Sequence, residues 1–291
     1  GTFLVQDGSV QSAPVSVVVK PLMKLAVSGS RAIGAILTLT GRITPWKSGQ
    51  VHLVVAHKGV SLHVRQGSDG RFRARLPTTR WLRYLARVRL VPAAGYAPIV
   101  RSFWVAVKLP PLGQGSMGPS VRWLETLLAR QHYAALGIDR VFRYDTRDAV
   151  LAFQKVHGLV RSGYVSRAVW LVLRRAHIPL AHVRSGTHIE VEKHRQILFE
   201  VRHGRVFKVA HVSTGATGNT PHGHWHIYSK TPGFNSLGMY YSMYWCRGFA
   251  IHGYHSVPAY PASHGCVRTP IWYAPRIYSR STFGESVYVF P

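Results

Sequence analysis

The feature that most constrains this chain is the spacing of its apolar residues, which changes twice along the sequence. Over residues 1–108, short runs of alternating apolar and polar residues are separated by turn signals, the clearest being Gly67-Ser68-Asp69-Gly70. The runs with this period of two are 51–55, 61–65, 71–76 and 86–90. Short strands at such intervals predict a β-sandwich, which we expect to be Ig-like and to act as a spacer.

A helical period follows a Pro- and Gly-rich boundary at 109–118. Pro119 suits the first position of a helix, Asp145 suits the N-cap of a second, and a third is predicted after Ser166. Three short helices predict a small bundle over residues 112–176.

From about residue 187 the β pattern returns, in runs at 189–192, 196–201 and 206–212. These runs predict a hairpin-rich sheet in a C-terminal domain spanning 187–291. The chain of 291 residues is therefore predicted to be multidomain and mainly β.

The charge of the chain is strongly unbalanced, with 37 Lys and Arg against 10 Asp and Glu, a formal net charge of +27. Such a charge attracts polyanions, including nucleic acid, acidic lipid and acidic wall polymers. The cations are spread along the chain and alternate with apolar residues, as in 71–76, which is typical of solvated strand faces. We therefore expect no nucleic-acid partner and keep anionic wall polymers as candidates.

No segment approaches the roughly 18 uninterrupted apolar residues of a membrane span, so we expect no transmembrane segment. The chain starts at Gly1 with no signal-like region, and we expect any export signal to have been removed or to lie outside it. Cys246 and Cys266 are the two cysteines and form at most one bridge.

Cys266 lies in the run Ser263-His264-Gly265-Cys266-Val267-Arg268. A thiol becomes a competent nucleophile when an imidazolium or a positive field lowers its pKa, and His264, His252 and Arg268 are candidates for that effect. Gly265 allows a tight turn whose backbone N–H groups point at an oxyanion.

The residues that orient the base are restricted by composition. No Asp follows Asp148, and the only later Asn residues are Asn219 and Asn235. A Cys-His-Asp triad is thus excluded within this domain. We expect a dyad whose imidazole is oriented by a backbone carbonyl, by a hydroxyl such as that of Ser263, or by a Glu.

A metal site is an alternative for part of this domain. His222, His224 and His226 alternate, which would place three imidazoles on one face of a strand, as in some zinc sites. The chain has 17 His in all and few carboxylates to support such ligands, so a His-rich solvent face is the favoured interpretation.

The helical segment resembles the peptidoglycan-binding domain of bacterial wall hydrolases. The matching positions are Gly113-Gln114-Gly115, Val121, Leu124, Leu128, Thr146, Ala149-Val150, Phe153-Gln154, Gly158-Leu159, Gly163 and Trp170. Where that family has Asp-Gly before its second helix, this chain reads Val141-Phe142-Arg143-Tyr144. The resemblance implies affinity for peptidoglycan glycan or peptide.

The C-terminal segment resembles the L,D-transpeptidases of the YkuD type. The matching motifs are Ala250-Ile251-His252-Gly253, Ser263-His264-Gly265-Cys266-Val267-Arg268, Ser213-Thr214-Gly215, Thr220-Pro221-His222-Gly223 and Gly284-Glu285-Ser286-Val287-Tyr288-Val289. The resemblance implies a β-sandwich in which a loop at 234–247 caps the cysteine.

The same resemblance implies the roles of individual residues. Cys266 would be the acylated nucleophile and His252 the general base. His264, Ser263 and Gly265 would complete the catalytic site. The substrate-binding residues would be Arg268, Gly253, Thr220 and Tyr254.

The implied reaction is acyl transfer from a peptidoglycan tetrapeptide stem, with loss of D-Ala and formation of a 3→3 cross-link. It requires no cofactor and no metal. An L,D-carboxypeptidase or endopeptidase with the same acyl-enzyme, or a non-catalytic wall-binding protein, remains an alternative. We expect a secreted or cell-envelope location, in the periplasm or cell wall.

Overall fold

The computed structural model describes residues 2–291 and divides into two compact units, Gly1–Leu109 and Pro110–Pro291. Both units are dominated by β-sheet, and all four α-helices of the described residues lie in the second unit. The chain is thus mainly β, as predicted. None of the described helices is long and apolar enough to cross a membrane.

The first unit consists of short antiparallel strands and one 3-10 turn at Trp46–Ser48. Its strands are β1 Thr2–Phe3, β2 Gln6–Asp7, β3 Val10–Gln11, β4 Val15–Ser16, β5 Leu22–Gly29, β6 Leu37–Thr44, β7 Gly49–Val55, β8 Val60–Leu62, β9 Val64–Gln66, β10 Arg71–Leu76, β11 Arg83–Pro92 and β12 Ile99–Ala106. Two four-stranded sheets, β5-β6-β10-β9 and β12-β11-β7-β8, share one apolar core.

Alternation decides which residues enter that core. In β10, Phe72, Ala74 and Leu76 are buried, while the residues between them are exposed. The predicted single strand at 61–65 is wrong, because the chain bends at His63 and its halves join different sheets as β8 and β9. Such a switch between sheets lets one segment border both layers of the core.

The helices of the second unit are α1 Pro119–Arg130, α2 Tyr144–Val156, α3 Arg167–Leu173 and α4 Ala274–Arg280. Pro119 begins α1, and Ser166 caps α3 by accepting from the Val169 N–H at 3.4 Å, both as the sequence predicts. Asp145 is not the N-cap of α2. It lies inside the first turn, where its carboxylate accepts from the Leu136 N–H at 2.8 Å.

The remaining strands of the second unit form two sheets around a second apolar core. They are β13 His188–Glu192, β14 Ile197–Arg202, β15 Arg205–His211, β16 Gly223–His226, β17 Ser229–Phe234, β18 Tyr240–Cys246, β19 Phe249–Tyr254, β20 Val267–Pro270 and β21 Ser286–Phe290. The sheet orders are β15-β14-β13-β21-β16 and β17-β18-β19-β20. Only β13–β21 and β19–β20 pair in parallel among the described strands.

The helical segment is joined to the edge strand β15 by backbone hydrogen bonds. The Ala134 N–H donates to the Val209 carbonyl, and the Val209 N–H donates to the His132 carbonyl, each at 2.9 Å. Pairing of this kind gives the helices a fixed attachment to the sheet.

A buried lysine of α2 strengthens this attachment. Lys155 Nζ lies 2.8 Å from the Gln196 carbonyl, 2.9 Å from the Val212 carbonyl and 2.6 Å from His211 Nδ1. These three acceptors match the three N–H groups of an ammonium, whereas burial favours the neutral amine and lowers the pKa of Lys155 to about 6. His211 Nε2 in turn lies 2.7 Å from the Val257 carbonyl, on the segment that leads to Cys266.

We expect Lys155→Met to weaken the second unit in a pH-dependent manner. At alkaline pH its free energy of unfolding should fall by about 2 kcal/mol, because buried acceptors lose the N–H donors of the neutral amine. The folded protein releases the Lys155 proton near pH 6, and the unfolded chain releases it near pH ~10. The contribution of Lys155 to stability therefore rises with pH across this window, and it is absent from the variant.

Urea unfolding followed by the fluorescence of buried Trp170 and Trp245 measures this difference. Arg167→Met, at an exposed position of α3, is the matched control and should change stability by less than about 0.5 kcal/mol. A difference between wild type and Lys155→Met that is constant with pH would contradict the lowered pKa.

Candidate active site

Cys266 lies at the end of a turn and immediately before β20. In the parallel pair β19–β20, Ile251 faces Val267 and His252 faces Arg268. Ile251 and Val267 are buried in the core, so alternation places Cys266, His252 and Arg268 together on the opposite face. The Ala250 N–H lies 3.5 Å from Cys266 Sγ, which confirms that the thiol turns toward β19.

The turn that precedes the thiol depends on a glycine and a serine. Gly265 has φ +124°, and a Cβ at this position would lie 2.2 Å from Cε1 of Phe249. The Ser263 hydroxyl accepts from the Gly265 N–H at 3.1 Å and donates to the Cys266 carbonyl at 2.6 Å. One side chain thus holds both sides of the turn, which fixes the direction of the thiol.

A neighbouring segment supports the turn from behind. The Thr220 hydroxyl donates to the Gly265 carbonyl and accepts from the Gly215 N–H, both at 2.8 Å. The Asn219 amide donates to the His264 carbonyl at 3.0 Å. Thr220 is 1 % exposed and supports the turn through these two hydrogen bonds, while its role in substrate binding stays a prediction.

His252 is buried in β19, with 3 % of its surface exposed. Its Nδ1 lies 3.0 Å from the Gly253 carbonyl. Because a carbonyl can only accept, Nδ1 carries the proton and Nε2 presents a lone pair. Gly253 is buried, and a Cβ there would lie 2.7 Å from that of Ala274 in α4, so it permits close packing and orients the base.

The four glutamates of this domain are engaged away from the base. Glu190 and Glu192 bind the segment around His182, while Glu200 and Glu285 pair with arginines. The sequence left a carbonyl, a hydroxyl or a Glu open as the group that orients His252. In the structure the contact is made by the Gly253 carbonyl.

Burial controls the protonation of the dyad. It raises the pKa of the Cys266 thiol, although the Ala250 N–H and the charge of Arg268 act in the opposite direction. The pKa of His252 is lowered to about 4, chiefly by burial; the hydrogen bond to the Gly253 carbonyl acts against this shift, and the charge of Arg268 contributes to it. The sequence-based expectation of a thiol with a lowered pKa is therefore wrong for the free protein: both groups are neutral near pH 7.

Arg268 and Tyr254 form a small cationic surface beside the dyad. The guanidinium carbon of Arg268 lies 4.2 Å from the centroid of the Tyr254 ring, which meets the His252 ring edge-on at 5.8 Å. Arg268 forms no ion pair with any described residue. The His264 side chain is exposed, and its imidazole makes no described contact with His252. Its backbone carbonyl accepts the hydrogen bond from Asn219 that supports the turn.

The turn also determines which backbone group can stabilise an oxyanion. The Gly265 N–H is occupied by Ser263 Oγ. No described residue accepts from the N–H of Cys266 itself. Of the N–H groups of Gly265 and Cys266, only that of Cys266 is without an acceptor among the described residues.

A groove of about 510 Å³ opens beside this surface, between α2 and the ends of β19 and β20. Among its lining residues are Arg147, Asp148, Tyr254, His255 and Trp272. Trp272 Nε1 donates to Asp148 Oδ2 at 2.9 Å, and burial raises the pKa of Asp148 to about 6. No local pattern predicts this groove, because its walls come from segments more than a hundred residues apart.

Two of the three alternating histidines form side-chain hydrogen bonds with different partners in the structure. His222 Nε2 lies 2.6 Å from Lys193 Nζ, and His224 bonds to the Ser286 hydroxyl at 3.0 Å. Residues 2–291 contain no group of three or more His, Cys, Asp or Glu arranged to hold a metal. These contacts support the interpretation of a His-rich strand face.

Two further expectations concern the segment between β17 and β19. Residues 234–247 form the end of β17, a short turn around Asn235 and strand β18, so the segment is a β-hairpin, and its capping of Cys266 stays a prediction. Cys246, at the end of β18, packs in the core, and both Cys246 and Cys266 are free thiols.

We expect Gly265→Ala to slow reaction of Cys266 with a carbapenem by about tenfold to a hundredfold, because the thiol is displaced from its productive position. The unfavourable φ and the contact with Phe249 force the turn to move. Mass spectrometry of the acyl adduct against time measures the rate. Gly248→Ala is the control, since that glycine is exposed and has open space around it; equal rates for the two variants would overturn the assignment.

Arg268→Gln should raise the pKa of both Cys266 and His252, because the positive charge lowers both in the wild type. Iodoacetamide alkylation of Cys266 against pH should then shift to higher pH, and a proton NMR titration should show the same direction for His252. The exposed Arg167→Gln removes one charge at a distance and should leave both curves unchanged. A shift to lower pH would contradict the expected sign.

Comparison with known proteins found two matching family models in this chain. Residues 186–289 match the family model of the L,D-transpeptidase catalytic domain (YkuD), and residues 117–173 match that of a peptidoglycan binding domain. A solved L,D-transpeptidase from Xylanimonas cellulosilytica is 31% identical, with 63% of this chain and 99% of that chain covered and a TM-score of 0.60. One from Stackebrandtia nassauensis is 26% identical over 62% of this chain and 95% of that chain, with a TM-score of 0.38.

A comparison with curated proteins found no match. The identity to the Xylanimonas cellulosilytica protein spans nearly the whole of that chain, and the domain match includes the dyad and the turn that carries it. The chain therefore belongs to the L,D-transpeptidase family, with a YkuD catalytic domain that follows a peptidoglycan-binding domain.

Proposed function

We propose that this protein is a cysteine-dependent L,D-transpeptidase that forms 3→3 cross-links between peptidoglycan stem peptides. The observation that carries the proposal is the placement of Cys266 and His252 on one face of β19–β20, with Nε2 of His252 unbonded to the backbone. The peptidoglycan-binding domain supports peptidoglycan as the partner. Domains that act on peptidoglycan imply a location at the cell wall.

The neutral dyad favours proton transfer during attack. As Cys266 Sγ bonds to the carbonyl carbon of the L-centre in the donor stem, Nε2 of His252 takes the thiol proton. The oxyanion accepts from the Cys266 N–H. Collapse breaks the bond to the D-Ala nitrogen, His252 returns the proton to that amine, and a thioester remains.

The acceptor stem resolves the thioester. Its side-chain amine attacks the thioester carbonyl and gives a proton to His252; the C–S bond then breaks and the proton returns to Sγ. Water in place of the amine gives a carboxypeptidase or endopeptidase. Whether water is excluded from the thioester therefore decides between cross-linking and hydrolysis.

The surroundings of the dyad suggest where the substrates lie. The unpaired guanidinium of Arg268, stacked on Tyr254, suits the D-Ala carboxylate of the donor. The groove between α2 and Trp272 contains the Asp148 carboxylate and suits the amine of the acceptor. These positions support a catalytic role for the dyad and a binding role for the groove.

We expect purified protein to convert a disaccharide-tetrapeptide into a dimer, detected by mass spectrometry as two stems joined with loss of D-Ala. Cys266→Ala should abolish the dimer and retain binding to isolated cell walls, because the helical domain is untouched. Cys246→Ala is the matched control and should retain activity, since Cys246 lies in the core.

The products separate the rival functions. A tripeptide without dimer identifies an L,D-carboxypeptidase, and a shortened dimeric substrate identifies an endopeptidase. Wall binding with neither product and no acyl adduct with a carbapenem identifies a non-catalytic wall-binding protein and overturns the proposal.

A further inference from the structure

The outer face of the sheet β5-β6-β10-β9 in the first unit carries a dense group of cations. Their exposed side chains are those of Lys24, Arg42, Arg65, Arg71, Arg73 and Arg75, which we call the basic face. The alternation that buries Phe72 places the arginines on either side of it outward. The sequence predicts this pattern within β10 but not its continuation onto three other strands.

Strand register places these cations opposite one another. Arg42 faces both Lys24 and Arg71, and Arg73 faces Arg65. Directly opposed like charges destabilise a sheet, since neighbouring strands are only about 4.8 Å apart. Three such contacts in one sheet are therefore a cost to the fold that an anionic ligand would remove.

The described residues provide little compensation for this repulsion. Of the six cations only Arg71 forms an ion pair, with exposed Asp69 at 3.4 Å. Two adjoining depressions of about 540 Å³ each lie along these strands and share Arg65 and Arg73 in their linings. Half-buried Thr40 alternates with Arg42 along β6.

We propose that the basic face binds a phosphodiester-linked polyol or sugar polymer of the cell wall. Alternate residues of β10 place Arg71, Arg73 and Arg75 about 7 Å apart in a line. This row suits a linear chain whose successive phosphates are separated by a short polyol, because guanidinium binds phosphate in a fork.

The composition of the face favours such a polymer over nucleic acid. Proteins that bind single-stranded nucleic acid stack the bases on aromatic side chains. The outward strand positions of this sheet hold Lys, Arg, Thr, Ser, Ala and Leu, with no Phe, Tyr or Trp among them. The function of the face is separate from the chemistry of Cys266.

The test measures binding of the full chain to synthetic poly(glycerol phosphate) by isothermal titration calorimetry at several salt concentrations. Arg42→Gln/Arg65→Gln/Arg73→Gln should weaken binding by about tenfold or more, and its slope of log K against log salt should become shallower by about two. The matched control is Arg87→Gln/Arg89→Gln/Arg101→Gln, which removes the same charge from exposed positions of the other sheet.

The control should bind within about twofold of the wild type, because it leaves the basic face intact. Equal weakening by both triple variants would mean that net charge alone attracts the polymer. Tighter binding of an oligodeoxynucleotide with the same number of phosphates would assign the face to nucleic acid. Absence of binding by the wild type at low salt would also overturn the proposal.

A second pair of variants, each with one substitution, tests the same proposal if a triple variant fails to fold. Thr40→Glu places a carboxylate opposite Arg73, and Ser102→Glu places one opposite Arg87 on the other sheet. Each substitution adds one cross-strand ion pair and removes one unit of net charge. Thr40→Glu should weaken polymer binding by about threefold or more, and Ser102→Glu should not; the reverse order would contradict the basic face as the site.

Discussion

The Ser263 hydroxyl makes the two hydrogen bonds on which the active site depends. It accepts from the Gly265 N–H and donates to the Cys266 carbonyl, so the turn before β20 has one conformation. That conformation occupies the Gly265 N–H, leaves the Cys266 N–H for an oxyanion and turns Sγ toward β19. The parallel pairing of β19 with β20 then sets the position of His252 relative to the thiol.

Burial without carboxylates gives this site its electrostatic character. The thiol and the imidazole lie in a domain with no Asp, and each of its four Glu is held by cations or backbone elsewhere. Desolvation therefore dominates and keeps both members of the dyad neutral. The charge of Arg268 lowers the pKa of both Cys266 and His252. It therefore does not change which of the two groups holds the proton.

Much of the fold follows from local patterns. Alternation identified β7, β10 and β11, and the capping signals at Pro119 and Ser166 placed α1 and α3. Local patterns failed where a distant partner took over a side chain or a strand. Asp145 bonds to a loop N–H nine residues away instead of capping α2, and the run at 61–65 divides between two sheets at His63. Lys155 lies two residues after apolar Phe153 in α2 and is a charged residue, so its burial could not be predicted. It is buried because its hydrogen-bond acceptors lie in the catalytic domain.

The chemistry proposed for this protein could be predicted from residue types alone. The run around Cys266, the glycine before it and the lack of Asp after Asp148 predicted a cysteine–histidine dyad without an Asp as its third member and left a carbonyl, a hydroxyl or a Glu to orient the base. Only the tertiary structure decided that the Gly253 carbonyl orients the base, that Thr220 supports the turn from a buried position, and that Lys24, Arg42 and Arg71 form one row. The reason is physical: residue type sets which reactions a side chain can perform, whereas pKa, accessibility and cross-strand neighbours arise from contacts between segments that are distant in sequence.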